Sequence, residues 1–188
     1  MICLAVGLAI FVLTHSLKWV APQWRDHWQS TLGLARYRGV FSLVSLVSVA
    51  AIVLGFSQAR YDHLLWSPPP ALHYLNWALM LFACVAMAAS FTRSHLRRAI
   101  KHPQLTAIKS WSVAHLLVNG HLAAIVLFSV MLAWALITRI GYKRRHEHPA
   151  AFEPLLLHDL LGVGAGIWVF ALFMLGLHGY VFGVSPLL

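Results

Sequence analysis

Acidic side chains are almost absent from this chain, with 5 Asp and Glu in 188 residues, and charged residues of both signs make up only 10%. A soluble domain carries about 25% charge, so a water-soluble globule is excluded. Disorder is excluded as well, because it needs high charge and low hydrophobicity. Cysteine is equally scarce. Cys3 and Cys84 stand alone in apolar stretches and form no CxxC, which removes a zinc knuckle, a thioredoxin-type centre and covalent haem attachment through CxxCH. The chain also lacks a glycine-rich phosphate loop and a GxSxG nucleophile elbow.

Apolar residues fill the gap: they make up 60% of the chain, and mean hydropathy is +0.75. The expectation is one all-α integral membrane domain over residues 1–188, a polytopic helical bundle whose first partner is the lipid bilayer. Lys and Arg number 14, for a formal charge of +9. They fall in short connections between apolar runs, where membrane proteins keep cytoplasmic positive charge, and this argues against a nucleic-acid partner. The N-terminus has neither a basic leader nor a small-residue cleavage site after its apolar run, and reads as a retained first span.

A span takes about 20 apolar residues. Candidates run from Met1 to about Val20, Gly39 to Ser57, Leu72 to Phe91 and Leu155 to Tyr180. Gly162 and Gly166 in the last are spaced for close helix approach. Pro68, Pro69 and Pro70 make the second connection non-helical. Leu105 to Arg139 is too long for one crossing, at roughly 50 Å of helix against about 30 Å of hydrocarbon. Two readings compete. In one, a surface helix after Pro103 feeds a span from about Ala114 to Thr138, giving five transmembrane helices. In the other, Asn119-Gly120 is a hairpin turn, giving six.

Charge and histidine disagree on the choice. Basic first and third connections (Lys18, Arg25, Arg36, Arg38; Arg93, Arg97, Arg98, Lys101, Lys109) put the N-terminus outside, and Lys143, Arg144 and Arg145 then favour six. Five spans instead bring His15, His115 and His178 to one depth, whereas six move His115 and His178 to the outer side and leave His15 behind. Five is preferred, because stray charges after a span are tolerated more readily than imidazoles stranded in lipid.

Those three histidines, of 12 in all, interrupt apolar runs, and a ring N–H there needs a partner. His27, His63, His73, His95, His146 and His148 sit at interfaces or loop edges and read as wetted side chains. His102, before Pro103, reads as a helix start or a surface contact. The spans offer no carboxylate except Asp159 near the start of the last, so a carboxylate-rich di-iron or zinc site is disfavoured. Nitrogen-only ligation in an apolar bundle suits a haem. Two imidazoles from different helices, among His15, His115 and His178, can clamp its iron. Arg36, Arg38 and Lys109 are candidates for the propionates. Trp111, His115 and Asn119 fall at i, i+4 and i+8, one helical stripe that could face the same pocket.

The run Tyr37-Arg38-Gly39-Val40-Phe41-Ser42-Leu43-Val44-Ser45 resembles a signature of the NnrU family of bacterial membrane proteins. So do Leu65-Trp66-Ser67-Pro68-Pro69 and the block from His102-Pro103 through Trp111, Ala114-His115-Leu116-Leu117 and Asn119-Gly120. His15-Ser16 and the ending around His178, Gly183 and Pro186 also fit, so the resemblance covers essentially the whole chain. It implies an inner (cytoplasmic) membrane protein associated with denitrification, the reduction of nitrite and nitric oxide. The family is similar to the ζ-carotene cis–trans isomerase of plants and cyanobacteria, a haem b enzyme, and by motif its histidine ligands correspond to His15 and His115. The resemblance thus implies haem b used for redox or ligand sensing. Its alternatives are isomerisation of a carotenoid-like polyene, or a non-enzymatic assembly role with respiratory nitrite and nitric oxide reductase components. The family usually has Asp where this chain has His121.

Overall fold

The computed structural model describes residues 1–145 and 151–187, so His146 and His148 lie outside the described residues. The described residues are mostly helical, with no named strand. Its helices are α1 (Ile2–Val20), α2 (Pro22–Leu32), α3 (Leu34–Ala59), α4 (Leu72–Ala89), α5 (His95–Ile100), α6 (Pro103–Val118), α7 (Leu122–Arg144), α8 (Leu156–Leu172) and α9 (His178–Phe182). Five are long and apolar enough to cross a membrane: α1, α3, α4, α7 and the α8–α9 rod. The 16-residue α6 packs lengthwise between α4 and α7. The long rods lie in the neighbour order α3, α1, α7, α6, α4, α8.

The expected continuous span from Ala114 to Thr138 is not what forms. The helix stops at Val118, and Asn119 (φ −126°, ψ 113°) and His121 (φ −80°, ψ 145°) are extended. Three interactions hold the break. Leu65 N–H donates to the Gly120 carbonyl at 2.9 Å, and Leu122 N–H donates to the His63 carbonyl at 3.0 Å. The Asn119 side-chain amide donates to the His115 carbonyl at 2.8 Å, satisfying one of the orphan carbonyls of the last turn. Gly120 lies so close to the Trp66 backbone that a Cβ would fall 1.7 Å from its carbonyl oxygen. The 60–71 connection therefore clamps the turn, and α6 and α7 form a hairpin. The crossing begins at Leu122, eight residues later than expected, and α6 is a shorter sixth rod alongside the five.

This hairpin resolves the conflict between charge and histidine in favour of charge. α1 and α7 run in the same direction: Phe11 meets Trp134 at 5.5 Å between centroids, while Trp19 lies against Gly141 and Lys18 over the Tyr142 ring at 5.0 Å. The connections after α1, α4 and α7 then share one face. Of the 14 Lys and Arg, only Arg60 belongs to the opposite, far face. Positive charge is thus segregated to one face of the bundle, as in membrane proteins generally.

Packing is of the membrane type. Bulky side chains point outward, such as Leu46 at 67% and Leu160 at 66% exposure, while the interior is rich in alanine (Ala86, Ala114, Ala123, Ala135). Small residues let the backbones approach. A Cβ on Gly166 would come 2.5 Å from Val85 Cα, and one on Gly55 would come 2.2 Å from Leu4 N.

Two outcomes test this topology. Single cysteines replacing Arg98 and Arg145 should react with an impermeant maleimide from one side of the membrane, and a cysteine replacing Asp62 from the other; a continuous α6–α7 helix would put Arg145 with Asp62. Gly120→Ala should cost about 1–3 kcal/mol by overpacking against Trp66, read as a lower Tm, whereas Gly164→Ala, with nothing within 4 Å of the new methyl, should be neutral or slightly stabilising.

Candidate functional site

The polar groups with most chemical potential lie where α6, α7 and the end of the last rod meet near the far face. His115 sits in the last turn of α6. Its Nδ1–H donates to the Trp111 carbonyl one turn earlier, at 3.0 Å. A carbonyl only accepts, so this bond fixes the tautomer, and Nε2 is the nitrogen left to meet a ligand. The ring packs against Phe128 of α7 at 4.4 Å between centroids and against Trp111 at 5.4 Å.

His178 reaches this place because the last span is not a straight helix. After α8 the chain makes a wide turn over Phe173–Leu177, where Gly176 has φ 157° and ψ −25°. That backbone conformation is open to glycine and strained for other residues, and such a wide turn inside a helix re-aims the next turn. His178 then lies with its ring centroid 6.5 Å from that of His115 and the two planes 24° apart. Its Nδ1–H donates to the Val184 carbonyl at 2.6 Å, so again Nε2 is left. Phe182 flanks it at 5.0 Å.

The tail that carries Val184 is held from two other elements. Arg60, at the end of α3, donates to the Phe182 carbonyl, and its guanidinium nitrogens lie beside Gly183. Trp77 of α4 donates to the Pro186 carbonyl at 3.3 Å. Arg60 also lies over the Tyr61 ring at 4.8 Å, and its Nε is buried with no partner among the described residues.

The expected ligand pair is divided. His15 belongs to another place in the bundle, stacked on Phe11 at 4.0 Å and edged by Phe41 at 5.2 Å and Trp134 at 6.0 Å. Trp134 lies six residues further along α7 than Phe128, the ring beneath His115, which is about 9 Å of helical rise toward the basic face. The reason is the Asn119–Gly120 turn: it sends His115 to the far face, so His15 and His115 do not share a depth. His15 does keep the same local bond, Nδ1–H to the Phe11 carbonyl at 2.9 Å.

The remaining expectations also separate. Trp111 lies against His115, but the Asn119 amide is engaged with the His115 carbonyl, so it caps a helix rather than facing a pocket. Arg36 and Arg38 open α3 at the basic face, away from His115 and His178. Lys109 sits within α6, six residues nearer the basic face than His115. His102 stands at the N-cap position of α6 and stacks on Tyr142 at 5.2 Å. His95 is tied to Asp159 at 2.6 Å. Among the described residues, no group of three or more His, Cys, Asp or Glu is arranged to hold a metal ion.

Sequence reasoning missed Arg60, Phe128 and Phe182. Phe128 and Phe182 look like ordinary span residues, and only the fold brings them to an imidazole. Arg60 did leave a signal: it is the single base in an otherwise near-neutral connection.

These features define a class: a polytopic membrane bundle with two oriented imidazoles at one end, walled by aromatic rings. The NnrU protein family model matches residues 3–186, and the chain belongs to that family. No curated protein and no solved structure matches it.

Arg60→Ala should release the tail at Phe182–Gly183 and with it His178. The expected readout is faster carbethoxylation of His178 by diethyl pyrocarbonate, located by mass spectrometry, with Arg60→Lys intermediate. An unchanged rate at His178 would show that Arg60 does not hold it.

Proposed function

We propose that this NnrU-family protein binds haem b between His115 and His178 and uses it for redox or ligand sensing in nitrite and nitric oxide reduction. The observation that carries the reading is the geometry of these two rings. The two rings lie close enough together for one bound group to contact both. The observed separation is 6.5 Å, with near-parallel planes. Each ring also donates its Nδ1–H to a backbone carbonyl, the outer bond that fixes orientation and raises basicity in metal-ligating histidines.

The surroundings suit a flat apolar macrocycle with an acidic edge. Trp111, Phe128, Phe173 and Phe182 supply apolar faces around the two imidazoles. Arg60 is the cation on that side, and its planar fork suits a carboxylate. Arg60 thus takes the place first given to Arg36 and Arg38. A bound haem would supply one-electron chemistry or an iron site for a diatomic ligand. His115, enclosed by α6 and α7, and His178, partly exposed on the bent last segment, would hold it. The association with denitrification rests on the family resemblance.

The test is the absorption spectrum of protein purified from haem-replete cells. A Soret band is expected. His115→Ala should abolish it, His178→Ala should shift or weaken it, and His15→Ala should leave it intact. Absence of a band in the unaltered protein would overturn the reading, and loss of the band on His15→Ala alone would return the ligand role to His15.

A further inference from the structure

A second polar layer lies in the half of the bundle nearer the basic face, and the far-face site makes no use of it. Four side chains there have a polar atom sealed from the surface with no hydrogen-bond partner among the described residues: Ser16 Oγ, Trp19 Nε1, Trp134 Nε1 and Thr138 Oγ1. Three of the four are buried as whole residues, Ser16 at 6%, Trp134 at 9% and Thr138 at 2% exposure. Ser16 and Trp19 are neighbours one turn apart on α1. Trp134 and Thr138 are neighbours one turn apart on α7.

The parallel register of the two helices spreads these groups along the α1–α7 seam, from Trp134 beside His15 to Trp19 beside Gly141. Phe11 and His15 contact Trp134, and Trp19 lies against Gly141. Thr138 lies between Trp134 and Gly141 on the same stripe of α7, so it falls at the level of His15 and Ser16. His15 has Nδ1 tied to the Phe11 carbonyl, and as an Nδ1–H tautomer its Nε2 is an acceptor. The layer therefore holds two indole N–H groups that can only donate, two hydroxyls that can donate or accept, and one imidazole acceptor.

Buried polar groups in folded proteins are almost always paired, with protein or with ordered water. Leaving one unpaired forfeits its full hydration, and the loss is greater where lipid surrounds the bundle. Neither hydroxyl bonds back to its own helix carbonyl, although Thr14 on α1 does so with Ile10 at 2.7 Å. Water has the size and the 2–4 hydrogen-bonding partners that buried polar groups along such a seam need.

We propose that the α1–α7 layer at His15 is a hydration site, in which ordered water bridges the indoles of Trp19 and Trp134 to the hydroxyls of Ser16 and Thr138 and to the His15 ring. The site stands whether or not the far-face imidazoles hold haem.

Radiolytic footprinting of the full chain in micelles tests it, because a microsecond X-ray pulse makes hydroxyl radicals from bound water in place. After correction for intrinsic reactivity, Trp134 should oxidise several-fold faster than Phe128, which is buried to a similar degree at 4% but has no polar atom. Thr138→Val should lower the rate at Trp134 several-fold and lower Tm by a few degrees, while Thr138→Ser should keep both near their original values. The proposal is overturned if Trp134 is as protected as Phe128, or if Thr138→Val raises Tm, as removal of a truly unpaired buried hydroxyl would.

Discussion

The close approach of Gly120 to the Trp66 backbone is the contact on which the rest of the architecture depends. A methyl group at position 120 would overlap the Trp66 carbonyl, so only glycine lets the 60–71 connection and the α6–α7 turn share space. With that contact and the two backbone bonds beside it, residues 103–144 fold as two antiparallel rods. Without it, the apolar pattern would allow a single long helix. The choice decides which face each later element occupies, and so which histidines can meet.

Both arrangements leave something costly in the bilayer. One long helix strands basic residues on the wrong side, and a hairpin separates His15 from His115. The structure accepts the separation and covers its cost locally. Each of the three imidazoles donates Nδ1–H to a backbone carbonyl, and aromatic rings surround the rest. A neutral imidazole so paired is far cheaper in lipid than a charged side chain. The sequence argument for five membrane-length helices holds, while the Asn119–Gly120 turn it kept as an alternative is what parts His15 from His115.

Much of the fold was nonetheless legible. The first, third and last spans fall within a few residues of α1, α4 and α8–α9, because long apolar runs carry their own signal. Gly162 and Gly166 read correctly as a close-packing face and lie against α4. The second span extends to Leu34 at one end and Ala59 at the other, beyond its purely apolar part, because helix propensity continues through Ala35, Arg36 and Arg38. The site was less legible. His115 and Trp111 are neighbours by helical spacing alone, but Arg60, Phe128 and Phe182 reach the imidazoles from elements far apart in sequence. The bend at Gly176, which aims His178, has no periodic signal.

By itself the sequence determined that this is an all-helical membrane protein of the NnrU family, that its basic residues mark one face, and that some histidines must lie among apolar helices. Composition and local periodicity are sufficient for each of these, since each concerns one segment and its solvent. Tertiary structure alone decided that residues 118–122 turn, that His178 rather than His15 lies beside His115, and that Arg60 reaches the tail. Those outcomes turn on contacts between segments, where one glycine against one carbonyl outweighs the preference of a whole apolar run to continue as helix.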